Sequence, residues 1–239
     1  MMSTHPLSPY EVQRERLAQY FDGSARKAWI DLTSTAKVSG IRATVRAGRN
    51  AMRAQLLGWL PQDLRRCTVL DAGCGTGSLS VEAAWRGAAV SAIDVAGGLV
   101  DIAQQRAPAF LGHGRIDWHV GDMLDPPATH DGQARFDHIV AMDSLIHYPL
   151  EDMAWAVERL AARCNRSLVF TFAPHTRLLG AMHAVGQAFP RANRSPAIQP
   201  IPEAALRARL VSLQGWQLGR SGRITSGFYI SQGLELVRR

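Results

Sequence analysis

Between Arg66 and Ala173, short apolar runs rich in β-branched residues alternate with longer stretches of helical periodicity. Residues 67–71, 89–93, 116–120, 138–142 and 167–172 predict strands, and 76–85, 98–106 and 151–163 predict the helices between them. Near-continuous apolar strands separated by helices specify βαβ units and a parallel sheet buried on both faces. Right-handed crossovers then align the strand-to-helix loops along one carboxyl edge, where open α/β sheets bind ligands.

The flanks read differently. Residues 8–62 are helical in pattern. Ser8 or Pro9 opens a segment reaching Tyr20 and Phe21, and Asp22-Gly23-Ser24 breaks it and offers an N-cap for the next. From Ala36 to Leu60 the positions Val45, Met52, Leu56 and Trp59 recur at helical spacing, and Pro61 ends the run. Beyond the central block, residues 174–202 are broken by Pro190, Pro196, Pro200 and Pro202, with room for a short helix over 178–189. A helix over 203–213 and strand-like runs at 216–219 and 228–237 follow, the last two expected as an antiparallel hairpin. The expected organisation is an N-terminal helical cap over 1–62 and an α/β domain over 63–239, with 174–202 inserted over the substrate.

Of the 239 residues, 46% are hydrophobic and 20% charged, ordinary values for a globular chain with one sizeable core. No run approaches the roughly 18 apolar residues of a membrane-spanning helix, and the N-terminus has no apolar signal core. Cys67, Cys74 and Cys164 show no CxxC spacing and the histidines no HExxH pair, so neither a disulfide framework nor a metal site is expected. A cytoplasmic location fits, with at most peripheral contact with a membrane. The net charge of +7 comes from Arg, for Lys27 and Lys37 are the only lysines. It admits nucleic acid, anionic lipid or an anionic small molecule as partner, and equally a bias toward arginine codons.

Val69-Leu70-Asp71 runs directly into Gly73-Cys74-Gly75-Thr76-Gly77. A strand must turn sharply there while its backbone approaches a ligand, and glycine removes the obstructing Cβ. Ser78 stands where the dinucleotide fingerprint needs its third glycine, and no Gly-Lys-Ser/Thr follows, which excludes a P-loop. Asp94 closes the second strand, beside Val95, and can accept both hydroxyls of a ribose. Asp122 and Met123 close the third, placed to take an adenine amino group and pack on the ring. Each acid alone could be a turn or cap residue. Three at successive strand ends form the pattern of the class I S-adenosylmethionine (AdoMet)-dependent methyltransferases, which this region resembles. The resemblance implies a Rossmann-like, mostly parallel seven-stranded sheet with an antiparallel C-terminal hairpin, and AdoMet as cofactor with S-adenosylhomocysteine as product. Asp71, Gly73, Cys74, Gly75, Gly77, Asp94, Val95, Asp122, Met123 and Asp143 are the residues expected around it, Asp71 orienting the glycine loop or the methionine end.

The flanking pieces carry a closer likeness. Tyr20-Phe21 with Trp29, Val45-Arg46-Ala47-Gly48-Arg49, Asp143-Ser144-Leu145-Ile146-His147-Tyr148-Pro149 and Phe228-Tyr229 resemble the magnesium protoporphyrin IX O-methyltransferases of chlorophyll and bacteriochlorophyll synthesis. The Arg-rich character is similar to the bacteriochlorophyll-making branch. The resemblance implies methyl transfer to one propionate of a magnesium porphyrin, and the porphyrin-binding subunit of the magnesium chelatase as a partner. In the oxygenic branch a tyrosine follows the tryptophan by a few residues. Here that stretch is Ile30-Asp31-Leu32-Thr33, so a role for that tyrosine does not carry over.

A propionate is ionised at neutral pH and needs no strong general base. His147, just past the fourth strand, is expected to orient it or adjust its protonation, with axial contact to the magnesium a further role; otherwise it is a loop histidine that caps a helix or bonds a carbonyl. Tyr20 either donates to the same carboxylate or packs beside Phe21. Arg42, Arg46, Arg49 and Arg53 share a helix face, with Arg46 and Arg49 the expected propionate ligands and a solvated face the other reading. Met182 and His183 are expected in the apolar wall of the macrocycle site. Competing readings are a methyltransferase for another small molecule such as a quinone precursor, and an AdoMet-binding protein without catalysis. A nucleic-acid amino-methyltransferase would show Asn/Asp-Pro-Pro-Tyr/Phe where this chain has Asp143-Ser144-Leu145-Ile146.

Overall fold

The computed structural model describes residues 7–23, 25–34, 38, 40–175 and 197–239. Fourteen elements follow in order: α1 (Pro9–Asp22), α2 (Arg26–Leu32), α3 (Gly40–Trp59), β1 (Thr68–Ala72), α4 (Ser78–Trp85), β2 (Ala89–Asp94), α5 (Gly97–Arg106), β3 (Arg115–Val120), β4 (Phe136–Ala141), α6 (Leu150–Ala162), β5 (Cys164–Phe172), α7 (Glu203–Leu210), β6 (Trp216–Ser226) and β7 (Tyr229–Arg238). The seven strands form one sheet in the order β3-β2-β1-β4-β5-β7-β6. β1 to β5 pair in parallel, while β7 runs antiparallel to both β5 and β6. Chain order reverses at β1, with β2 on one side and β4 on the other, and the crevice of such a sheet lies at that reversal.

Alternation along the strands feeds two cores. Leu70, Ile139 and Phe170 point to the layer of α1, α6 and α7, where they meet Leu17, Met153, Leu160 and Leu206. Val69, Val140 and Val169 point the other way, onto Met52, Leu56 and Leu57 of α3 and Leu79 and Ala83 of α4. Of the region expected as a helical cap, α1 packs into one layer and α3 into the other. α1 starts with a capping box: Ser8 Oγ accepts the Glu11 N–H, and the Glu11 carboxylate accepts the Ser8 N–H at 2.7 Å.

The expected insertion over 174–202 is pinned at its ends, where Pro174 bridges to Ile201 and His175 N–H donates to Ile201 O at 3.0 Å. The helix expected at 178–189 and the wall residues Met182 and His183 lie outside the described residues. β6 is longer than the expected 216–219. It runs to Ser226 with a register shift between Leu218 and Ser221, and its outward positions are polar.

Candidate active site

The carboxyl ends of β1, β2 and β4 open into a cleft of about 560 Å³ that α1, α2 and α3 border. At its floor, the N–H groups of Gly73 and Cys74 both donate to Ile93 O, at 2.8 and 3.0 Å, pinning the elbow to β2. Gly73 has φ 87°, and a Cβ there would fall 2.3 Å from Ser144 Cβ. Gly75 (φ 53°) faces the cleft under Trp29. Gly77 is off the lining. A Cβ on it would fall 2.4 Å from the Trp118 ring, so the third glycine serves packing of α4 near β3.

Asp94 accepts the Gly75 N–H at 2.8 Å on one oxygen and the Ala96 N–H at 2.9 Å on the other, leaving each oxygen a second lone pair. Burial raises its pKa against the help of those two amides. Asp71, 1% exposed, takes a hydrogen bond from Ser80 Oγ at 2.5 Å, and burial pushes its pKa up to about 7. Burial likewise holds the Cys74 thiol well above its ordinary range, leaving an unreactive thiol at neutral pH. Val95 and Met123 line the cleft, Met123 almost fully buried.

Other sequence-expected residues have different surroundings. Asp122 is off the lining. Its carboxylate accepts Tyr10 Oη at 2.7 Å, Arg14 Nη1 at 2.6 Å and the Leu124 N–H at 2.9 Å, so it anchors α1 in this structure. Tyr20 is also off the lining and packs edge-on against Phe21, the packing alternative named above. Arg46 reaches the cleft but donates to Leu32 O at 2.9 Å and Asp31 O at 2.6 Å, capping the carbonyl end of α2. Arg42 is exposed, and Arg53 pairs with Glu82 at 2.6 Å. Arg49 lies 4.5 Å over the Trp29 ring and donates to Asp143 Oδ2 at 2.6 Å.

Asp143 has φ 55° and a carboxylate turned inward, onto Arg49, Thr171, Tyr229 and Ser231. His147, 6% exposed, lines the cleft edge-on to Phe21 at 6.2 Å between ring centroids, and Phe21 meets Trp29 at 5.4 Å. Residues that sequence reasoning gave no role are Tyr10, Arg14 and Ser144. Trp29 and Tyr229 were visible as motif members, without a signal for their contacts. The quoted pieces converge: Trp29, Arg49 and Asp143 line the cleft in contact with one another, Tyr229 backs Asp143 from outside the lining, and His147 joins Trp29 through Phe21.

The space left beside Asp94, the bare backbone of Gly75 facing the cleft, and Met123 nearby fit a nucleoside with a short charged chain. Together with the reversal at β1, they define a class I AdoMet-dependent methyltransferase, and a methyltransferase-domain profile matches residues 69–167. A profile of the magnesium-protoporphyrin IX methyltransferase C-terminus matches residues 141–238. The magnesium-protoporphyrin O-methyltransferase of Rhodobacter capsulatus is 46% identical, over 95% of this chain and 98% of the relative. Its counterpart from Synechocystis is 31% identical over 92% of this chain and 94% of its own. The chain belongs to the magnesium-protoporphyrin O-methyltransferase family. In structure it is similar to the Synechocystis magnesium protoporphyrin IX methyltransferase crystallised with S-adenosylhomocysteine, with a TM-score of 0.81, 29% identity and coverage of 94% of this chain and 99% of that one.

Proposed function

We propose that this protein transfers a methyl group from AdoMet to a propionate carboxylate of magnesium protoporphyrin IX, forming the monomethyl ester for bacteriochlorophyll synthesis. The supporting observation is the single cleft that joins the glycine elbow to His147 beneath Phe21 and Trp29. AdoMet, when bound, supplies an electrophilic methyl on a sulfonium. Asp94 would hold its ribose, Met123 its adenine, and the Gly73–Gly75 backbone its amino-acid end.

Acid and base catalysis have little to do here, because the attacking carboxylate is already ionised. Charge is lost on the way to the transition state, so a dry, aligned pocket accelerates the reaction more than a polar one. The nearly buried His147 and the aromatic edges of Phe21 and Trp29 exclude water on the acceptor side. His147 orients the propionate. Delivery from a porphyrin-binding chelatase subunit and contact with a membrane surface belong to the same reading; among the described residues no helix is long and apolar enough to cross a membrane.

Incubation with labelled AdoMet and magnesium protoporphyrin IX, followed by mass analysis of the pigment, should show one methyl added. An unmodified pigment in the presence of bound cofactor would reject the acceptor. His147→Ala should lower turnover about 100-fold, the scale of a misplaced reactant, with AdoMet affinity by calorimetry within about twofold of the parent. Parental turnover would make His147 structural.

A further inference from the structure

Asp143 is one of two non-glycine residues among those described with positive φ, a conformation Asp tolerates better than most side chains. The turn it makes decides where the next residues go. Ser144 Oγ donates to Ala72 O at 2.7 Å, with its Cβ against Gly73, Leu145 sinks into the core, and His147 reaches the cleft.

What stabilises the turn is a cradle around the Asp143 carboxylate, whose side chain is 3% exposed. Its N–H donates to Thr171 Oγ1 at 2.7 Å, and Thr171 Oγ1 donates back to Oδ1 at 3.2 Å. Tyr229 Oη sits 3.1 and 3.2 Å from the two carboxylate oxygens, and Ser231 Oγ 3.4 Å from Oδ1. Arg49 completes the set. A buried carboxylate is held by this number of donors, and removing one leaves the rest to readjust. Burial also keeps the Tyr229 phenol protonated far above the usual tyrosine range, so it remains a donor.

The Tyr229 ring is fixed independently of its hydroxyl. It lies against Gly48, where a Cβ would fall 2.5 Å from Cδ1. The hairpin strand β7 therefore reaches Asp143 through two hydroxyls, Tyr229 Oη at 3.1 Å and Ser231 Oγ at 3.4 Å.

We propose that Tyr229 is a positioning residue for methyl transfer, acting through Asp143 to fix Arg49 over Trp29 and to hold the loop that carries His147. The kinetic part rests on the reading given under Proposed function. Tyr229→Phe keeps the ring against Gly48 and removes only the hydroxyl. Its kcat should fall about tenfold, the effect of one lost hydrogen bond to a charged group, while the KM for AdoMet stays within about twofold. A residue needed only for folding would lower the unfolding midpoint and leave kcat per folded molecule unchanged.

A second readout does not depend on turnover. Freeing Arg49 from its place over Trp29 should change tryptophan emission in Tyr229→Phe, and that change should vanish when the substitution is made in a Trp29→Phe background. Parental kcat together with parental emission overturns the proposal, as does an emission change that survives in the Trp29→Phe background. Ser231→Ala, which removes the longest of these bonds, should shift both readouts the same way by a smaller factor; it decides the matter if Tyr229→Phe fails to fold. If the parent enzyme leaves magnesium protoporphyrin unmethylated, the acceptor assignment fails, and the emission comparison still tests the link from Tyr229 to Arg49.

Discussion

Asp71 and Asp94 face the same glycine elbow from neighbouring strands, and burial disfavours the charge on both. For Asp71 the consequence is a measurable pH dependence. Its pKa is about 7 when folded against an ordinary 3.8. Below 3.8 both states carry the proton and the contribution is fully present. Between 3.8 and about 7 the unfolded chain loses that proton while the folded one keeps it, so stability declines as pH rises through this window. Asp71→Asn should flatten that decline in denaturant titrations of the cofactor-free protein, and an unchanged slope would show that Asp71 ionises normally. Both acids could be placed at the cleft from the sequence, because each lies at or next to the carboxyl end of a parallel strand. Asp122 lies two residues past the end of β3, and Tyr10 and Arg14, over a hundred positions away, supply its partners. Nothing local announces such a pairing.

At the scale of elements, the parallel strands could be read directly, since burial on both faces leaves an uninterrupted apolar signature. β6 could not. It lies at the sheet edge, and Arg220, Ser221, Arg223 and Thr225 face outward, a composition that discourages further strand pairing and looks like loop in the sequence. The helix containing Arg46 and Arg49 was also legible, but three of the four arginines on that face turn out to be engaged with the protein, while Arg42 is exposed. Arg46 caps α2, Arg49 pairs with Asp143 and Arg53 with Glu82. Gly48 is the residue in that helix whose chemistry the periodicity conceals. Gly48→Ala would ordinarily favour an α-helix by about 1 kcal/mol. Here the added methyl meets the Tyr229 ring, and overpacking of this kind costs about 1 to 3 kcal/mol. The variant should unfold at a lower temperature than the parent and lose turnover with it; a raised midpoint would mean that the ring moves aside freely.

Across the whole molecule, two cores share one sheet, and the cleft opens where the strand order reverses. At the cleft the positive charge is engaged internally rather than displayed toward a polyanion, since Arg14, Arg46, Arg49, Arg53 and Arg106 all border it and all hold protein oxygens. β7 is the element on which the rest closes, because β6 joins the sheet only through it. A chain shortened to end at Ser226 should therefore show no cooperative thermal transition and no calorimetric binding of S-adenosylhomocysteine. A sharp transition in that truncated chain would assign the closing role elsewhere. Translation meets the same arrangement from the other direction. A ribosome delivers β5 well before β7, so the nascent protein presents a naked strand flank until the residues after Phe228 emerge. During that interval neither the sheet nor the Asp143 cradle exists in finished form, and a half-made copy is exposed to chaperones and to its neighbours on the polysome before it can hold a pigment.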